Sequence, residues 1–180
     1  MTALRVAELW RYPVKSLLGE EDDAALSDWL GRRVQLRSAD TTWDRRYENP
    51  VDFEHEETSR WDPFEGATGA FHDSRRARVS FVSRTTTGDW DPRRFRSNVL
   101  LDGAGEDALV GSRVQLGEAV LDVTKRIDRC VMVTRAQAGG IERDLDVLRT
   151  IARERGNNLA IGAMVAEPGL VRIGDTLDLA

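Results

Sequence analysis

The 180-residue chain has a single cysteine, two histidines and two lysines, and no apolar run long enough to cross a membrane. Without a second cysteine there is no internal disulfide, no CxxC pair and no cysteine zinc cluster. A built-in iron–sulfur centre, which needs several thiolates, is excluded for the same reason. A net charge of −5 lacks the basic surface that a general nucleic-acid binder needs, so no nucleic-acid partner is expected. The opening "MTALRVAELWRY" has neither the basic start nor the long apolar centre of a signal peptide. A cytoplasmic protein with no membrane partner is therefore expected. Also missing are a phosphate loop ending in GK[ST], a GxSxG elbow, an HExxH pair and a GxGxxG turn.

What is present is mostly strand pattern, in a length that suits one compact domain. "LRVAELWRYPV" (4–14) reads as a strand stopped by Pro13, and "EDDAALSDWLGRR" as a short helix capped by Asp22 or Asp23 and ended by Gly31. "RVQLR" (33–37) returns to strand. From residue 77 the chain reads as successive strands: "ARVSFVS", "SNVLLD", "SRVQLG", "AVLDVTK", "VMVTR", "LAIGAMVA" and "LVRIG". One amphipathic helix interrupts them within 139–158, with Ile141, Leu145, Leu148 and Ala152 on one face and Gly156 as its stop. Many short strands with few helices predict a mainly β barrel.

Residues 39–75 show no clean period of 2 or 3.6, yet carry Trp43, Tyr47, Phe53, Trp61, Phe64 and Phe71. A disordered linker rarely holds so many rings. The stretch reads as an ordered irregular loop, either wrapped beside a site or covering a barrel edge. Both histidines, His55 and His72, lie in it. Cys130 and His72 would make a nucleophile–base pair if they met, but nothing in the sequence brings them together.

Three clusters carry the candidate chemistry. Cys130, in "RIDRCVMVT", either packs as a small apolar residue at a strand start or serves as a thiolate favoured by Arg126 and Arg129. In "YPVKS", Pro13 fixes the backbone before Lys15 and Ser16, an ammonium and a hydroxyl suited to a phosphate or carboxylate oxygen. In "RRFRSN" (93–98), an extended backbone would put Arg94, Arg96 and Asn98 on one face, an arrangement that makes sense around an anion.

Together "YPVKSLLGE", "RRFRSNVLLDGAGEDALVG", "RIDRCVMVTR" and "LAIGAMVAEPGLVRIGDTLDL" resemble, in order and spacing, the MOSC family, named for the molybdenum-cofactor sulfurase C-terminal domain. The resemblance covers residues 4–20 and about 70–180. It implies a MOSC-type β-barrel, with residues 1–38 a remnant of the family's N-terminal barrel region, 39–75 the aromatic loop and 76–180 the MOSC core. It also implies the molybdenum cofactor (molybdopterin), with pyridoxal phosphate not expected, and Cys130 as metal ligand and catalytic centre. By the same match Lys15 and Ser16 hold the cofactor phosphate, Arg96 and Asn98 form the R-x-N at the pterin, and Arg129 precedes the ligand. Asp73 and Ser74, in "HDS", line the cofactor pocket.

The implied activity is reduction of N-hydroxylated small molecules with electrons from a separate donor protein. The alternative is a module that carries the cofactor or a sulfur atom without turnover. One departure is plain: the family's Gly-Asp-Arg segment, whose arginine also grips the phosphate, is absent, since no "GDR" occurs in the chain.

Overall fold

Strands form here where branched and apolar side chains alternate or run together. In Arg113–Leu116, Val114 and Leu116 are buried while Arg113 and Gln115 face solvent, the alternation of a strand with one wet face. In Val79–Ser83 the successive residues Phe81 and Val82 are both buried, one in the interior cluster and one in the outer, because that strand is covered on both sides. The computed structural model describes residues 3–10, 12, 31, 33, 46–65 and 74–180. Within them lie strands β1 (Arg5–Leu9), β2 (Arg46–Pro50), β3 (Trp61–Glu65), β4 (Val79–Ser83), β5 (Val99–Asp102) and β6 (Arg113–Leu116). They are followed by β7 (Ala119–Asp128), β8 (Asn158–Glu167) and β9 (Leu177–Leu179). The α-helices are α1 (Arg84–Thr87) and α2 (Asp146–Arg155), and 3-10 helices occupy Pro92–Phe95, Glu106–Leu109 and Val131–Thr134.

Seven strands make one sheet in the order β1-β5-β4-β8-β7-β6-β9. The pairing is antiparallel except between β4 and β5. The sheet curls until its two ends meet. Val6 N–H donates to Asp175 O at 2.8 Å, Gly174 N–H to Val6 O at 2.8 Å, and Leu177 N–H to Leu4 O at 2.9 Å. The predicted mainly β architecture is therefore observed as a nearly closed barrel.

Phe81, Val99, Leu101, Val114, Leu121, Val123, Ile161 and Ala163 fill the interior. Each large apolar side chain withdrawn there contributes about 1.5–3 kcal/mol. A second layer packs outside, where Val82, Leu100, Leu159 and Ala160 meet Phe95, Val133, Val147 and Ile151. This outer layer holds α2 and two of the 3-10 helices against the wall.

Several expectations are corrected. The aromatic loop contains a β2–β3 hairpin, with Tyr47 and Phe64 rings 5.4 Å apart. "VMVTR" forms a 3-10 helix instead of a strand, because Thr134 Oγ turns back to Val131 O at 2.8 Å and Arg94 collects the carbonyls of the turn. The helix begins at Asp146, since Gln137 N–H bonds Ile141 O and Asp144 N–H bonds Thr134 O, which pulls 139–145 into a loop. "LVRIG" is also not a strand; that segment turns to reach β1, and the last strand forms later, at 177–179. The helix expected near residue 26 and the body of the strand expected at 33–37 lie outside the described residues. Among the described residues no helix is long and apolar enough to cross a membrane.

β8 carries the irregularity that shapes the site. Between the pairs Arg126↔Ile161 and Asp128↔Asn158, β8 takes three steps where β7 takes two. The surplus is absorbed at Ala160, whose φ of 82° is left-handed and strained for a residue with a Cβ. Leu159 and Ala160 both join the outer cluster, breaking the alternation.

Candidate functional site

The bulge leaves Leu159 O free to accept a side chain, and Arg129 takes it. Its Nε donates to Leu159 O at 2.7 Å and its Nη1 to Phe95 O at 2.9 Å, with the guanidinium 5.6 Å from the Phe95 ring centre. Its backbone is held as firmly: the N–H donates to Asn157 O at 2.9 Å, and Asn157 Nδ2 donates to Arg129 O at 2.8 Å. The residue is half-buried, but its guanidinium lies inside. Burial pulls that group down to about 10 against the raising effects of Cys130 and Asp128, so it stays charged at neutral pH. Nη2 is buried and has no partner among the described residues. A buried guanidinium with an unused donor is costly unless an acceptor arrives.

Cys130 follows directly and is exposed. Its backbone opens the 3-10 helix, with Val133 N–H donating to Cys130 O at 3.2 Å, and its side chain makes no capping bond. The reading of Cys130 as strand packing is thereby set aside, because the thiol lies at the surface and the residue opens a 3-10 helix.

Arg94 does not share a face with Arg96 and Asn98. Pro92 and the Asp91 cap start a 3-10 helix there, and Arg96 leaves it in the left-handed region at φ 51°. Arg94 is 8% exposed and donates to Val133 O at 2.9 Å and Glu142 O at 2.8 Å, clamping the two loops together. Arg96 lies 4.4 Å over the Tyr12 ring. Burial pushes the Tyr12 hydroxyl up to about 12, with Arg96 opposing. Asn98 ties strands: its Oδ1 accepts from Ser80 N–H and Ser80 Oγ, both at 3.0 Å, and its backbone O accepts from Trp10 N–H at 2.8 Å.

Three chain segments thus converge: the end of β1 through Trp10 and Tyr12, the loop 92–98, and Arg129–Cys130. Ser97, between Arg96 and Asn98, has a buried Oγ without a partner among the described residues, a second such donor that the sequence pattern did not single out. Ser74 Oγ accepts from Arg76 N–H at 3.1 Å. Lys15, Ser16 and Asp73 lie outside the described residues, as does His72. Trp10 and Asn98 also border an apolar groove of about 460 Å³ at the barrel mouth, walled by Val99, Leu121 and Val165.

The hairpin loop reaches this region. Phe53 packs on the outer cluster, Glu56 pairs with Arg135, and Glu54 takes Arg149 Nε at 2.8 Å. His55 points to solvent and pairs with Asp52 at 3.0 Å, which raises its pKa above 6.5 first by hydrogen bonding and then by charge. Because the folded value exceeds the unfolded one, this contact is complete below pH 6.5 and is lost as pH rises through the raised value. An NMR titration should place the His55 midpoint above 6.5, with Asp52→Asn returning it to the ordinary value. A wild-type midpoint at or below 6.5 would refute the pairing.

The donor set can be tested against the implied cofactor. Among the described residues no group of three or more His, Cys, Asp or Glu could hold a metal ion, so a metal at Cys130 would take most of its ligands from its own organic carrier. The exposed thiol, the charged Arg129 with an open donor, and the Arg96 cation fit a soft metal on an anionic carrier.

The MOSC domain family model matches residues 66–178. Comparison with curated proteins finds no match. Among solved structures, YiiM from Geobacillus stearothermophilus is 16% identical, with a TM-score of 0.46, covering 75% of this chain and 72% of that one. A hypothetical protein known from its crystal structure is 17% identical, with a TM-score of 0.47, covering 61% of this chain and 54% of that one.

Proposed function

Because the chain belongs to the MOSC domain family, which is associated with molybdenum-cofactor binding, we propose that it is a molybdenum-cofactor-dependent reductase of N-hydroxylated small molecules with Cys130 as the protein ligand to the metal. The observation that carries this reading is the pairing of an exposed thiol with the buried, under-bonded guanidinium of Arg129 next to it in sequence. When bound, the cofactor supplies the two-electron reduction that cleaves an N–O bond. The chain's own residues would bind and orient. Cys130 would anchor the metal as a thiolate, and Arg129, braced by Leu159 O and Phe95 O, would offer Nη2 to an acidic or carbonyl oxygen.

Arg96 would add positive charge, together with Lys15 and Ser16 at the phosphate. Asn98 has Oδ1 committed to Ser80, so the second hydrogen of its amide N–H₂ would be the one to face a pterin. Its Nδ2 already leans toward Trp10 O at 3.5 Å. Asp73 and Ser74 complete the proposed pocket. The groove beside Trp10 and Asn98 supports a substrate with an apolar body.

For an amidoxime the balance is two electrons and two protons in, amidine and water out. The electrons would come from a separate donor protein. Protein purified from a host that makes the cofactor should contain near-stoichiometric molybdenum by elemental analysis and convert benzamidoxime to benzamidine with a competent donor. Molybdenum at background overturns the proposal. Molybdenum without turnover would favour the cofactor-carrier reading.

A further inference from the structure

Away from Cys130, the 3-10 helix Glu106–Leu109, α1 and one face of α2 enclose a polar pocket of about 460 Å³. None of the residues assigned above to the cofactor lines it. Its unusual member is Glu106, which lines the pocket yet is 1% exposed. The carboxylate accepts from Ser83 N–H at 3.0 Å through Oε1, the one hydrogen bond it receives among the described residues. A carboxylate withdrawn this far from water needs more than one neutral donor to offset the lost hydration.

The surrounding charges do not provide it. Arg155 is committed to Asp107 at 2.5 Å, and Arg153 to Glu154 at 2.8 Å. The pocket's other carboxylates are therefore paired, and the balance is one negative charge. Its walls add the Thr86 and Thr150 hydroxyls and the Trp90 ring. Hydroxyl oxygens accept N–H donors, and an indole face attracts a cation. A divalent metal does not suit this place, because no group of three or more metal-ligating side chains is assembled among the described residues.

We propose that this pocket is a second binding site, for a small organic monocation whose ammonium group pairs with Glu106 and whose carbon body rests on Trp90. Thr86 and Thr150 would accept the remaining N–H donors. One positive charge matches the one unpaired carboxylate, and the volume is that of a small-molecule site. The proposal is independent of the molybdenum site and can be tested on the full chain with or without the cofactor.

The test is an ¹H–¹⁵N NMR titration with benzylammonium chloride at constant ionic strength, with benzyl alcohol and potassium chloride as parallel probes. Saturable shifts of the Trp90 indole N–H and the Asp107 amide are expected with benzylammonium and not with the other two. Glu106→Gln keeps an acceptor for Ser83 N–H but removes the charge, and should weaken binding by about tenfold or more. Glu154→Gln, at the exposed rim, should fold as wild type and weaken it by no more than about twofold. Equal shifts with benzyl alcohol or potassium would overturn the proposal without recourse to any variant. So would undiminished affinity in Glu106→Gln.

Discussion

Cys130→Ser is expected to reduce molybdenum in the purified protein to background, the largest functional effect of any single substitution in this chain. The reason is chemical, because serine keeps the size and loses the soft anionic donor. Thiolate sulfur is a soft metal ligand, whereas a serine hydroxyl is a hard and weak one. The fold should not register the change. Cys130 is exposed, makes no capping hydrogen bond, and contributes to the 3-10 helix through its carbonyl alone. Surface changes of this kind stay within about 0.5 kcal/mol. Elemental analysis and a thermal melt on the same preparation separate the two effects. Molybdenum retained at the wild-type level in a folded Cys130→Ser protein would remove Cys130 from the metal.

Arg94→Met should have the largest effect on stability. Arg94 holds Val133 O and Glu142 O with two arms of one buried guanidinium, and its own carbonyl accepts from Gln137 Nε2 at 3.1 Å. Methionine fills much of the volume but donates nothing, so Val133 O inside and Glu142 O at the part-buried edge both lose the guanidinium. At about 1–3 kcal/mol for each buried group left unpaired, a loss of about 3 kcal/mol or more is expected. For a chain of this size that lowers Tm by roughly 6–12 °C. Because the clamp joins the loop after Pro92 to the turn after Cys130, thiol labelling of Cys130 in the folded variant should also change. Arg94→Lys should recover only part of the loss, since one ammonium cannot span both carbonyls. A methionine variant that melts within about 2 °C of wild type would show that the clamp carries little of the stability.

The barrel was legible because its strands announce themselves by composition: branched and apolar residues in short runs, separated by glycine turns. The errors came where distant contacts override local preference. "VMVT" has the composition of a strand, yet Arg94, 39 residues away from Val133, gathers its carbonyls and stabilises a turn. Ile141 belongs to the apolar stripe and is 4% exposed, but it sits in a loop; the periodicity records burial and not helix. At the candidate site, the cysteine and the arginine before it could be read from "RC", and Arg96 from the R-x-N. The bulge at Ala160 could not, because no glycine marks the left-handed residue. Neither could the division of labour between Arg94, spent on backbone carbonyls, and Arg96, stacked on Tyr12.

The closure of the barrel has a bearing on how the molecule is made. β1 leaves the ribosome before both of its partners, which arrive at very different times. β5 follows some 90 residues later, while Gly174, Asp175 and Leu177 come about 170 residues later. Until then one side of β1 carries unpaired N–H and C=O groups, an open edge on a sheet whose interior is already apolar. Synthesis proceeds from the N-terminus, and contacts of such long sequence separation form slowly. The nascent chain therefore carries an unclosed sheet throughout the synthesis of the residues between β5 and Gly174, and the turn before β9 is the step that ends the exposure of that edge to wrong partners.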